Sequence, residues 1–186
     1  DFQALNYNQS LWFHRIGTPQ SADELVYATP DRREANHVAE VTADGRYAII
    51  TSSIGTDARY ELRAIDLARR ALAKTNDPWK ARALVTGFEN DWKLVDGMGT
   101  SLWFVTNKEA PRFRLVAIDL AKRDVDWREL VRQTDETLQQ GTIIGNKLVL
   151  SYLKDAASRA LILDLNGRAA KGLSLSGLGT AAGFKG

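Results

Sequence analysis

The chain contains no cysteine. Disulfides and cysteine-ligated metals are therefore excluded, while the compartment stays open between cytoplasm and periplasm. No apolar run reaches the roughly 20 residues that a helical membrane span requires. No block of one charge sign occurs either. Twenty-five basic residues stand against 23 acidic ones, interspersed, for a net charge of +2. Nothing there directs the chain to nucleic acid or to an anionic membrane. Histidine is scarce, with only His14 and His37. Neither belongs to a His-x-Glu or His-x₃-His pair, so no metal is expected. The chain opens on Asp1-Phe2-Gln3 without Met or a signal-peptide pattern, as an internal piece of a longer chain would.

A serine-hydrolase elbow is missing as well. The nearest approach is Gly172-Leu173-Ser174-Leu175-Ser176, where Ser176 stands in place of the second glycine. No histidine follows it, so Ser174 reads as a small polar residue in an outer strand. The chain by itself is expected to have no catalytic residues.

What is present is an internal repeat in 186 residues that are 44% hydrophobic and 26% charged, the balance of one soluble globular domain. Tyr60 to Leu67, Arg112 to Leu120 and Arg159 to Leu165 each end in apolar-Asp-Leu. A short segment with basic residues follows each time. Asp66, Asp119 and Asp164 are 53 and 45 residues apart. A period of roughly 40–50 residues built from short strands is the signature of a β-propeller blade. The three aspartates read as strand-ending residues that hydrogen-bond the turn behind them, in preference to a cation-binding carboxylate ring.

The strands fall in order. Ser10–Ile16 and Glu24–Thr29 read as the last two strands of an incomplete blade. The next unit has Val38–Thr42, an Asp44-Gly45 hairpin, Tyr47–Ser52, Tyr60–Leu67, a polar excursion containing Asn76-Asp77-Pro78, and Lys80–Thr86. Tyr47–Ser52 is the continuous apolar run of a strand buried on both faces. The third unit has Trp92–Asp96, the turn Gly97-Met98-Gly99-Thr100, Ser101–Asn107, Phe113–Leu120 and Trp127–Arg132. Trp127 to Gln139 also carries helix-forming residues, but the repeat argues for strand. The fourth unit has Leu138–Ile144, Gly145-Asn146, Lys147–Leu153, Arg159–Leu165 and Lys171–Leu175. The expected fold is all-β, an open partial propeller of three to four four-stranded blades. Its boundaries are 1–37, 38–90, 91–137 and 138–176, with 177–186 starting another blade. Such an array does not close, so an apolar face is left at each end for a larger chain or a second copy to cover.

Other residues offer candidate chemistry. His14 reads as a packed or hydrogen-bonded histidine. The pairs Asp124/Asp126 and Asp31/Glu34 offer glycosidase-like carboxylates, with solvated surface as the alternative beside their basic neighbours. Trp12 and Trp103 read as blade-to-blade packing, and Trp79, after Pro78, as the exposed candidate for stacking. Gly97-Met98-Gly99 lacks the lysine and helix of a phosphate cradle. Asn8-Gln9-Ser10 is a formal glycosylation sequon.

Several stretches, in order, resemble the propeller of the prolyl oligopeptidase family. They are Tyr7-Asn8-Gln9-Ser10-Leu11-Trp12-Phe13-His14-Arg15-Ile16-Gly17-Thr18-Pro19-Gln20-Ser21-Ala22-Asp23, then Ala43-Asp44-Gly45-Arg46-Tyr47, then Thr106-Asn107-Lys108-Glu109-Ala110-Pro111-Arg112-Phe113-Arg114-Leu115. The similarity runs from about residue 5 to about 165 and covers about half of that family's propeller. The resemblance implies a seven-bladed propeller set over an α/β-hydrolase domain, the partner of this chain. It implies a serine peptidase that cuts short peptides after proline without metal or organic cofactor. The propeller would limit access to short proline-containing peptides and line the cavity. The family's loop that approaches the active site from the propeller side corresponds here to Ser53-Ile54-Gly55-Thr56. Many relatives carry Arg and Cys in it, where this chain has Ser53 and Thr56. The family has cytosolic and exported members. A stand-alone propeller that binds a protein partner is the alternative reading.

Overall fold

The computed structural model describes residues 7–72, 78–155 and 157–174. Gly177 to Gly186, Asn76, Asp77 and the side chain of Ser174 lie outside the described residues. The described fold is all-β, in four antiparallel sheets that follow chain order. It has the sheet pattern of an open partial β-propeller.

Residues 1–89 and 90–186 form two compact units. In the first, β1 (Ser10–Phe13) pairs with β2 (Glu24–Ala28), and β3 (Ala35–Val41), β4 (Tyr47–Ile54), β5 (Glu61–Asp66) and β6 (Arg82–Val85) form a four-stranded meander. Ile49 and Ile50, adjacent in β4 and so on opposite faces, are both buried. Ala48, Ile50, Ile65 and Trp79 form the core of this unit, and Leu11, Phe13, Val26 and Tyr27 of the two-stranded sheet pack onto it. The Asp-Gly hairpin between β3 and β4 forms as read. Gly45 has φ +71°, and the Asp44 carboxylate accepts from the Arg46 amide at 3.1 Å.

In the second unit β7 (Trp92–Met98), β8 (Ser101–Thr106), β9 (Arg114–Asp119) and β10 (Arg128–Val131) form one meander. A second is formed by β11 (Thr137–Ile144), β12 (Lys147–Lys154), β13 (Ala157–Asp164) and β14 (Ala169–Ser174). The helical alternative over 127–139 is not taken. Trp103, Val105, Leu115 and Ala117 of one sheet and Leu138, Leu148, Leu150, Tyr152 and Leu163 of the other make a single buried cluster. Such burial contributes about 25 cal/mol for each Å² of apolar surface removed from water.

The aspartates of the repeat occupy one structural position. Asp66, Asp119 and Asp164 pair with Tyr47, Ser101 and Lys147, the first residues of β4, β8 and β12. Each carboxylate accepts main-chain amides from the following turn: Arg69 (2.9 Å), Ala121 (3.0 Å), and Asn166 with Arg168 (both 2.9 Å). A hydrogen bond from the Thr100 side chain and then the Ala121 amide hold Asp119 below the ordinary carboxylate range. For Asp164 the Arg168 amide does so.

Three readings need correction. The segment after Asp66 is a short helix, α1 (Leu67–Leu72), where a polar excursion was expected. Leu-Ala-Arg-Arg-Ala-Leu is a run of good helix formers, and Asp66 caps it by accepting from the third helical amide. Trp12 is 58% exposed instead of packed between sheets, because alternation turns its neighbours Leu11 and Phe13 to the core. Trp79, expected in solvent, is buried. It packs against Phe13 at a 47° tilt (ring centroids 5.3 Å apart), lies 3.8 Å under the Arg70 guanidinium, and donates its indole N–H to Glu24 at 3.0 Å. Trp103 packs in the core, as read.

Candidate functional site: the rim of the first unit

The stretch Ser53-Ile54-Gly55-Thr56 lies where β4 runs out. Ser53 and Ile54 still pair with Asn36 and Ala35 on β3, so only Gly55 and Thr56 stand in the turn. Gly55 has φ +56° and is exposed, as is Thr56. The Asp57 amide closes the turn on the Ile54 carbonyl at 3.2 Å, and Asn36 donates its side-chain amide to the Gly55 carbonyl at 3.4 Å. Asp57 in turn grips Arg59 through Nε (2.8 Å) and through Nη2. That hydrogen bonding holds the Asp57 carboxyl below its ordinary range.

Directly beneath this turn a polar row crosses the sheet. His37 on β3 pairs in register with Ser52 on β4, and Ser52 with Glu61 on β5. All three are almost fully buried. Buried polar side chains persist only when partnered, and these are. His37 Nδ1 lies 2.9 Å from Ser52 Oγ and Nε2 lies 3.1 Å from Thr29 Oγ1. The Tyr27 ring stands nearly perpendicular to the imidazole, ring centroids 4.9 Å apart. Glu61 Oε1 accepts from the Gly87 amide at 2.9 Å. Its Oε2 lies 2.9 Å from Arg32 and 3.8 Å from Arg63 without an aligned hydrogen bond, so those contacts act as charge pairs. Arg63 also donates from Nε to the Tyr27 hydroxyl at 2.5 Å.

The side chain of Gln9 seals the outer edge of β3. It accepts from the His37 amide at 2.5 Å and donates to the His37 carbonyl at 3.2 Å. Gln9 thus satisfies main-chain groups that a first strand would leave unpaired. The rim can hold a fixed, polar, partly cationic surface over a rigid base. Its one base beside a hydroxyl, His37 Nδ1 at 2.9 Å from Ser52 Oγ, lies in a pair that is about 1% exposed and so out of reach of a substrate.

The remaining sequence candidates lie apart from this rim or are engaged elsewhere. His14 Nδ1 is 2.6 Å from Asp23, the hydrogen-bonded reading. Asp124, Asp126, Asp31 and Glu34 are exposed, and Asp126 pairs with Lys122 at 3.2 Å. Ser174 is the last residue of β14, and Leu175 and Ser176 lie outside the described residues. Among the described residues no group of three or more His, Asp or Glu is placed to hold a metal. The reading from sequence missed Glu61, Arg32 and Arg63. The one signal available was a carboxylate inside a strand otherwise patterned for burial on both faces.

Meandering four-stranded sheets with one repeated turn device define a β-propeller segment. Residues 1–186 match the model of the prolyl oligopeptidase N-terminal β-propeller domain, and the chain belongs to that family. It is 30% identical over 178 residues to a prolyl endopeptidase of Elizabethkingia meningoseptica, covering 95% of this chain and 24% of that one. It is 28% identical over 159 residues to prolyl oligopeptidase A of Amanita bisporigera, covering 84% and 20%. A solved prolyl endopeptidase, studied for the role of inter-domain dynamics in catalysis and specificity, superposes with TM-score 0.85 at 40% identity over 97% of this chain and 26% of that one. Apo prolyl oligopeptidase B from Galerina marginata shares the fold, with TM-score 0.83 at 22% identity over 95% of this chain and 25% of that one. The chain thus spans about a quarter of the length of the relatives it matches.

Proposed function

We propose that the chain is the non-catalytic propeller portion of a serine peptidase that cleaves short peptides after proline. Its sheets would be blades over an α/β-hydrolase domain, with the divisions expected after 37 and 137 moved back to the starts of β3 at Ala35 and β11 at Thr137. The propeller would admit short peptides and line the cavity, and Ser53, Ile54, Gly55 and Thr56 would face the substrate. The observation that carries this is the family match along all 186 residues. The rim supports it physically, because a connector over a hydrogen-bonded and charge-paired base can present a fixed surface without ordering it at each encounter. Neither a metal nor an organic cofactor enters this reading.

The test has two arms. The chain alone should leave a chromogenic Gly-Pro substrate intact. In the parent polypeptide, Ser53→Arg and Thr56→Cys should change KM for peptides of several residues more than for the small chromogenic substrate. Cleavage by the chain alone, or a parent polypeptide without a hydrolase domain, would overturn the reading.

A second reading is a propeller-type module that binds a protein partner. Trp12 at 58% and Leu25 at 48% exposure on the two-stranded sheet favour it. Trp12→Ser with Leu25→Ser would then abolish partner capture, while leaving a peptidase parent fully active.

A further inference from the structure

The hydrogen bonds around His37 fix its protonation, and that fixes what acid would do. The Thr29 hydroxyl donates to the Arg32 carbonyl at 3.3 Å. Its oxygen is therefore the acceptor for His37 Nε2–H at 3.1 Å. Nδ1 is then the unprotonated nitrogen and accepts from the Ser52 hydroxyl at 2.9 Å. The chain of donors runs in one direction, from Ser52 through His37 and Thr29 to the Arg32 carbonyl.

A proton added at Nδ1 breaks that direction. Ser52, about 1% exposed, would have to turn its hydroxyl hydrogen away from the ring inside the core. An imidazolium would also stand among charged groups of the wrong sign. The turn before β3 brings Arg32 and β5 brings Arg63. β5 also brings Glu61, already drawn to both arginines, and β2 brings the Tyr27 ring, nearly perpendicular to the imidazole. Burial first, then Arg32 and Arg63, hold the imidazole below the ordinary histidine value of 6.5, with Glu61 opposing.

Ser52 and its partner His37 are the last fully buried pair before the Ser53–Thr56 connector. We infer that neutral His37 is a latch on this connector, and that mild acid releases the latch by protonating the ring only when the end of β4 opens. The inference holds whether or not the connector faces a substrate. Opening would expose the His37 ring to water, where it regains its ordinary affinity for protons. Acid then favours the open form by one proton, and the open population rises by up to about tenfold for each pH unit below about 6.5.

The chain has two histidines, so His14→Gln isolates His37. In that variant ring nitrogen NMR at about pH 7.5 should show the Nε2–H tautomer of a neutral ring. Amide exchange across 51–57, normalised for intrinsic rate, should then climb by up to about tenfold per unit as pH falls to about 5.5, and His37→Gln should flatten that slope. An Nδ1–H tautomer, pH-independent exchange in wild type, or a slope that survives in His37→Gln would each overturn the latch. Should His37→Gln fail to fold, the His14→Gln protein decides alone. A ring that titrates as the connector opens supports the latch, and a ring that titrates without opening overturns it.

Discussion

The indole N–H of Trp103 on β8 donates to the main-chain carbonyl of Leu165 at 3.1 Å, across 62 residues of chain and from one four-stranded sheet to the next. The ring itself, 4% exposed, fills the shared core of the second unit. One side chain therefore supplies both apolar packing and a directional tie. The two separate by substitution. Trp103→Phe keeps most of the packing and removes the tie, and should lower unfolding free energy by about 1 kcal/mol. Trp103→Ala also opens a cavity and should lower it by about 3–5 kcal/mol. Denaturant midpoints of the two variants check this. Equal losses would mean that the hydrogen bond, not the ring, dominates.

Glu61 is the anchor of the rim. Its carboxylate is bound on one oxygen by the Gly87 amide and faces Arg32 and Arg63 with the other. Glu61→Gln keeps an oxygen for Gly87 but strands two arginines over a neutral amide. Breaking one partner of a largely buried charge cluster should destabilise by about 3 kcal/mol. It should also raise amide exchange at Gly87 and across the turn 29–32. A loss within about 0.5 kcal/mol would show that the arginines relax into water.

How much of this was legible beforehand follows from the range over which each feature is determined. The strand pairs and hairpins are local. Apolar runs such as Tyr47–Ile50 and the glycines at Gly45, Gly99 and Gly145 set them within a few residues. The capping aspartates were legible because they repeat. Helix α1 was not, since six helix-forming residues between a strand and a polar stretch give too short a period to read. Trp12 and Trp79 exchanged places for a related reason. Periodicity assigns a tryptophan to a strand or loop, but its partner, Phe13 for Trp79, comes from a distant stretch. The candidate rim at Ser53–Thr56 was proposed from resemblance alone. Its base of His37, Ser52, Glu61 and Arg32 joins three strands and a turn, so no short window of sequence contains it.

Gly167 tests how closely the two sheets of the second unit approach. Its φ is +83°, and a Cβ built there would sit 2.7 Å from the Leu130 carbonyl oxygen on β10. Gly145, also left-handed at +58°, has nothing within 4 Å. Gly145→Ala should therefore destabilise by about 1 kcal/mol, the conformational term alone. Gly167→Ala adds a clash with backbone that cannot rotate away, so a loss of about 2–4 kcal/mol is expected. Equal thermal midpoints for the two variants would show that the turn shifts freely against β10.

Tyr152 gives the second unit an alkaline limit. The side chain is 3% exposed in the core cluster beside Trp103 and Leu150. Burial pushes its hydroxyl up from 10.0 to about 12, against the pull of Arg159. The unfolded chain loses this proton near the ordinary value while the folded chain keeps it. Stability from this group is thus complete below pH 10 and is lost as pH rises towards about 12. Tyr152→Phe removes that dependence. Its denaturant midpoint should lie close to wild type at neutral pH and fall less steeply through the alkaline window. Every other group is common to both proteins, so the difference between the two curves isolates residue 152. Parallel curves would mean that the Tyr152 hydroxyl reaches water in the folded state and that the core is open at that point.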